Sequence, residues 1–152
     1  MKIVSRLSDM GIELPQAAAP VASYLPVVVE GNIAYVSGQL PFVEGQLVTG
    51  KLGADVGVER GQQAARACAL MILAQLEAAD LLDRVARIVK LGGFVACTPD
   101  FTEQPKVANG ASDLFVEVFG DAGRHARSAV GVPVLPLGAV VEVDCIVAVD
   151  PD

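Results

Sequence analysis

Residues 58–79 contain no proline and, after Gly61, no glycine, and they are dense in Ala, Leu, Gln, Arg and Glu. These are strong helix formers, so the segment predicts one long helix. Ala65, Cys68, Ala69, Ile72, Leu73 and Leu76 recur at steps of three and four, which gathers them into an apolar stripe. The stripe must cover something flat and apolar, and a β-sheet face is the natural partner.

Strands for such a sheet flank the helix. Residues 24–29 and 33–36 are β-branched or aromatic runs split by Glu30-Gly31-Asn32, the punctuation of a β-hairpin. Residues 85–96 read as a strand in which Gly92-Gly93 marks a bulge or a close backbone approach. Residues 128–132 and 139–149 read as a second hairpin joined through Pro133 to Pro136, and 46–49 as a short strand in the loop 41–53. A second helix is expected over 107–119, stopped by Gly120, and a short one over 3–12, stopped by Leu14-Pro15, with 16–20 a connector. The order helix, hairpin, helix, strand, helix, hairpin predicts an α+β sandwich with the helices on one face of a mixed sheet.

At 152 residues the chain holds one domain, 1–152, with a short N-terminal helical extension at about 1–14. A net charge of -7 and a pI near 4.6 leave no generic basic surface for phosphate backbones, so nucleic acid is disfavoured as a partner. With 53% hydrophobic and 19% charged residues and a mean hydropathy of +0.51, the chain is too apolar for disorder and is expected to bury surface in an oligomer. No uninterrupted apolar run of about 18 residues and no apolar N-terminal region is present, so neither a membrane span nor a secretory signal is read, and cytoplasm is the expected compartment. Cys68, Cys97 and Cys145 lie far apart with only His125 to join them, which argues for packed, reduced thiols and against a zinc site.

GxSxG, GxxxxGK[ST], HExxH and a strand-borne GxGxxG are all missing. The chemistry must therefore be sought in isolated polar residues. Glu142 stands inside the apolar run Ala139-Val140-Val141-Glu142-Val143, and it either faces solvent or is held by a partner; Asp144 shares its strand face by the period of two. Arg127 precedes Ser128-Ala129-Val130 where a strand begins, and reads either as part of a basic turn or as a fork for a substrate carboxylate. His125 beside it reads as a surface or supporting residue, and Tyr24 as a rim aromatic or a hydroxyl closing a pocket.

Tyr35-Val36-Ser37-Gly38-Gln39-Leu40-Pro41, followed by Arg127-Ser128-Ala129-Val130-Gly131-Val132, then Leu135-Pro136 and Val141-Glu142-Val143, resembles the Rid proteins, the YjgF or endoribonuclease L-PSP-like family. The likeness runs over about 19–149, and the N-terminal helix and the 98–107 stretch look longer than in the smallest members, as in a divergent branch. The resemblance implies a chorismate-mutase-like α+β sandwich, a mixed β-sheet with two main helices packed on one face, assembled as a homotrimer with sites in the clefts between subunits. It implies hydrolysis of reactive 2-enamino and 2-imino acids to 2-keto acids and ammonia, without metal or other cofactor. In that reading Arg127 binds the substrate carboxylate and Glu142 places the water. Tyr24 lines the pocket, Ser37 and Gly38 form a backbone wall, and Phe94 and Asn109 lie near the cleft. Ala129 stands where the family often carries cysteine, so only a backbone role is expected there. Two further readings stand beside it: a non-catalytic trimeric protein binding small carboxylate metabolites, and an endoribonuclease or translation inhibitor, which the acidic charge opposes.

Overall fold

Strict alternation over residues 141–149 sets the centre of the fold. Val141, Val143, Cys145, Val147 and Val149 are buried, while Glu142, Asp144, Ile146 and Ala148 between them are partly exposed, so one strand presents one face to a core and the other outward. The computed structural model describes residues 2–20 and 22–151; Met1 of the expected N-terminal extension lies outside the described residues. The elements are α1 (Ile3–Asp9), β1 (Val27–Glu30), β2 (Ile33–Gln39), β3 (Phe42–Val43), β4 (Gln46–Leu47), α2 (Val58–Ala78), β5 (Val85–Ala96), α3 (Gln104–Phe119), β6 (Ala126–Val132) and β7 (Val141–Val149).

Five strands form a mixed sheet in the order β1-β2-β7-β5-β6, parallel only between β5 and β6. The stripe on α2 covers one face as its spacing predicts: Ala65, Cys68, Ala69, Ile72, Leu73 and Leu76 are fully buried. α3 lies beside α2 on the same face and adds Val107, Leu114 and Phe115, also fully buried. The α+β sandwich expected from the element order is therefore the fold. β3 and β4 form a separate hairpin, whose two turn residues Glu44 and Gly45 have φ of 51° and 77°, the left-handed pair that a two-residue hairpin turn requires.

Three expectations are corrected. Residues 126–132 and 141–149 do not pair as a hairpin: β6 lies on the outer edge, parallel to β5, and β7 inserts between β2 and β5. Pro133 and Pro136 lack the N–H groups that a ladder running through the link would need, and the connection is long enough to carry the chain past β5. Tyr24 does not begin a strand, because β1 starts at Val27, after Pro26. α3 begins at Gln104 rather than 107, since Pro105 in its first turn is preorganised for helix despite breaking the apolar period.

The helices cross at small residues. A Cβ on Gly110 of α3 would overlap the Gln62 carbonyl of α2, and one on Gly61 would press Val107 at 3.2 Å. Gly110→Ala is expected to destabilise the fold by about 2 kcal/mol, because forced separation of two backbones outweighs the helix-propensity gain of about 1 kcal/mol. Chemical denaturation that finds the variant as stable as the parent would contradict this crossing.

Candidate active site

Arg127 lies on the edge strand β6, opposite Leu91, which is fully buried beneath the helices. Residues opposite each other in register share a face, so the arginine leaves the sheet on its helix-covered side. There α3 turns Asn109 and Ser112, three residues apart and hence on one helix face, toward the guanidinium. Nη1 donates to Asn109 Oδ1 at 2.8 Å and to Ser112 Oγ at 3.0 Å, and Nη2 donates to the Pro105 carbonyl at 3.3 Å. A guanidinium has five N–H donors, and with three engaged, Nε–H and one Nη2–H are left. Nε and Nη2 share the edge of the guanidinium that matches the two oxygens of a carboxylate. His125 joins this end through Nε2, 2.8 Å from Ser112 Oγ, while its Nδ1 lies 2.6 Å from the Gly123 carbonyl.

Glu142 belongs to the opposite face. It sits opposite Phe94 in the β5–β7 ladder, on the side that the helices leave open. Neither simple fate open to an acid in an apolar run holds in full: its side chain is half-buried, and it lies against Gly38, where a Cβ would come 2.5 Å from Oε2. Asp144 is placed likewise over Gly92, so the Gly92-Gly93 signal is a close approach; the β5 register shifts fall earlier, before Lys90. Burial, and after it the charge of Asp144, pushes the Glu142 carboxyl above the usual glutamate range. Burial also raises Asp144, against the smaller opposing pull of the Gly92 backbone hydrogen bond and Lys90.

Gly38 and Tyr24 line one cavity of about 160 Å³ with Pro20, Leu40, Met71 and Leu137. Ser37 holds the Tyr24 segment in place, its hydroxyl donating to the Leu25 carbonyl at 2.8 Å and its N–H to the Pro26 carbonyl at 2.9 Å. Beneath it, Gln39 Nε2 donates to the Ser37 carbonyl at 2.9 Å, and Gln75 Nε2 donates to Gln39 Oε1 at 3.3 Å and to the Ala18 carbonyl at 2.7 Å. Ser112 and Gln75 escaped sequence reasoning, and Gln39 entered it only within the run 35–41; the available signal was Gln75 standing at an apolar-periodic position of α2, whereas Gln39 is brought to the buried side by the register irregularity after Val36. A larger cavity, about 760 Å³ between the 13–18 segment, the β3–β4 turn and α2, touches none of the expected site residues.

The candidate residues thus form two groups. Arg127, Asn109 and Ala129, the last opposite Gly93, stand at the helix-covered edge. Tyr24, Ser37, Gly38, Phe94 and Glu142 stand at the other end and on the open face. Strand β5 separates Arg127 from Glu142 in the sheet, about 10 Å of strand spacing, besides the change of face. The three cysteines are buried and free, and burial pushes the Cys145 thiol up to about 12, so these are packed thiols. Among the described residues, no three of His, Cys, Asp and Glu gather where a metal ion could be held, and no helix is long and apolar enough to cross a membrane.

Residues 4–149 match the family described as "YjgF/chorismate mutase-like, putative endoribonuclease". Protein TCP17 of Trypanosoma cruzi is 54% identical over 149 residues, spanning 96% of this chain and 93% of its own. A crystal structure of Atu1372 from Agrobacterium tumefaciens is 50% identical, with TM-score 0.89 over 97% of this chain and 92% of that one. Escherichia coli TdcF, crystallised with bound serine, is 26% identical, with TM-score 0.61 over 91% of this chain and 94% of its own.

Proposed function

We propose that this chain, which belongs to the YjgF/chorismate-mutase-like family, hydrolyses 2-imino and 2-enamino acids to 2-keto acids and ammonia, in a site completed by a second copy of itself. The observation that carries the reading is the Arg127 fork: three donors pinned by Asn109, Ser112 and Pro105, and two adjacent ones left for a carboxylate. The bound serine of TdcF is an α-carboxylate of the same class.

A substrate held at Arg127 cannot reach Glu142 of the same chain, which lies on the other face beyond β5. A second copy can supply it. The open face carries Val28, Tyr35 and Val130 at 46%, 49% and 45% exposure, apolar surface that a packed copy would cover. A homotrimer of single-domain chains, with Arg127, Asn109 and the Ala129 backbone from one copy and Tyr24, Ser37, Gly38, Phe94 and Glu142 from the next, satisfies both requirements.

In that cleft the enamine tautomerises to the imine, whose carbon is the electrophile. The Glu142 carboxylate accepts a proton from water as the oxygen adds to that carbon. That proton passes to the nitrogen to give a carbinolamine; the hydroxyl proton of this adduct then moves by way of the Glu142 carboxylate to the nitrogen as the C–N bond breaks, so that the C=O of the 2-keto acid forms and ammonia leaves. No thiol takes part, so Ala129 is no obstacle, and no cofactor is needed. The cytoplasm, where pyridoxal-phosphate enzymes release such imines, suits a chain with three unpaired thiols. The endoribonuclease reading ranks below this one because a net charge of -7 repels RNA phosphates.

Glu142 works only as a carboxylate, and its burial and Asp144 raise its pKa. Activity is therefore expected to fall as pH drops, with a midpoint above the usual glutamate range, and Asp144→Asn is expected to move that midpoint down by removing a like charge. A kcat–pH profile unchanged in Asp144→Asn would count against Glu142 as the group titrated. The activity itself is tested by generating a 2-imino acid with an amino-acid oxidase and following its decay with and without the protein. Acceleration supports the deaminase; carboxylate binding without acceleration supports the metabolite-binding reading.

A further inference from the structure

We infer that Ser112 and His125 are positioning residues that hold the Arg127 guanidinium in its carboxylate-gripping orientation; this rests on the proposed role of Arg127. For the neutral imidazole the hydrogen-bond partners fix every proton of this relay. The Gly123 carbonyl can only accept, so the His125 Nδ1, 2.6 Å away, carries the proton, and the neutral ring's Nε2 is then a bare acceptor. The Arg127 Nη1 can only donate, so Ser112 Oγ accepts from it at 3.0 Å and spends its own proton on His125 Nε2 at 2.8 Å. The serine lone pair is thereby aimed at the guanidinium by the imidazole, and the imidazole is aimed by a backbone carbonyl.

Packing supports the same arrangement. The Phe115 ring stands edge-on to the His125 ring, with centroids 6.0 Å apart and planes at 89°, and Phe115 is fully buried. Asp113, Arg124 and Arg127 are the charged groups lining the depression beside His125; Arg124 pairs with Asp121 at 3.5 Å, and its carbonyl accepts from Arg87 Nη2 at 3.1 Å. Without the Ser112 hydroxyl, Nη1 keeps only Asn109 among its side-chain acceptors, and beside it the guanidinium is held only by the longer 3.3 Å contact of Nη2 with the Pro105 carbonyl, so its plane is less firmly fixed. The fork would then meet a carboxylate with one oxygen rather than two.

Two readouts test the relay on the full chain. His125 is the one histidine of the sequence, so its ring nitrogens give a single set of 15N resonances in ligand-free protein. Those resonances are expected to show Nδ1 protonated and Nε2 bare, with the Nε2 signal shifted by Ser112→Ala and retained by Ser112→Thr. Protonation at Nε2, or an Nε2 signal indifferent to Ser112→Ala, would overturn the relay. In the imine assay Ser112→Ala is expected to raise KM about tenfold with kcat within about twofold, and Ser112→Thr to restore KM. An unchanged KM in Ser112→Ala would overturn the positioning role. A parent protein that neither turns over imino acids nor binds a carboxylate would instead overturn the reading of Arg127, while the 15N comparison still decides the relay.

Discussion

Arg127→Ala is expected to lower kcat/KM for a 2-imino acid by about three orders of magnitude while leaving the fold in place. Two charge-assisted hydrogen bonds to a carboxylate contribute about 1.5–3 kcal/mol each, and about 1.4 kcal/mol corresponds to a factor of ten. The side chain lies on an edge strand and is partly exposed, so water can reach the Asn109 and Ser112 oxygens that its removal would leave. Its loss should therefore cost little stability, and a thermal midpoint close to the parent's is expected alongside the lost activity. Arg127→Lys separates charge from geometry. An ammonium keeps the attraction but cannot present two parallel donors, and most of the loss should remain. Steady-state kinetics of both variants check the point, and full activity in Arg127→Ala would remove the carboxylate clamp from the account.

The second large effect is expected at Glu142. Glu142→Gln keeps the shape of the side chain and its place over Gly38 but cannot take a proton from water, so kcat should fall by about two to four orders of magnitude with KM little changed. Gly38→Ala should approach the same phenotype by another route. The added Cβ, 2.5 Å from Oε2 and 2.8 Å from Cδ, must displace the carboxylate without altering its chemistry. Together the two variants distinguish the need for a base from the need for its position, as read from single-turnover rates at saturating substrate. A Glu142→Gln protein with parental kcat would assign the proton transfer elsewhere.

Much of this was legible in the residues themselves. The α2 stripe, the alternation of β7 and the oddity of an arginine and a glutamate at strand positions are local signals, and each marks an element or a residue that the fold uses. The pairing of β6 was not legible, because a period of two shows that a strand has two faces and says nothing about its neighbour or its direction. The hairpin reading of residues 128–149 failed for that reason. The division of the candidate residues between two faces depends on the same pairing: Arg127 and Glu142 look like members of one cluster until β5 is placed between them. Ser112 was hidden differently. A serine on the surface of an amphipathic helix resembles any solvated residue, and only the approach of β6 to α3 gives it the arginine as a partner. Gly38 and Gly92, by contrast, carried a signal whose meaning needed the structure, since each omits a side chain where a carboxylate from the neighbouring strand must lie.

The central claim, one site built from two chains, is tested most directly by mixing two inactive variants. Arg127→Ala and Glu142→Gln chains, co-expressed in equal amounts and purified together, would form some clefts with an intact arginine from one chain and an intact glutamate from its neighbour. Random assembly makes these about a quarter of all clefts, so imine hydrolysis should return to about a quarter of the parental rate although each variant alone is inactive. A mixed preparation as inactive as its components, beside an active parent, would contradict the two-chain site.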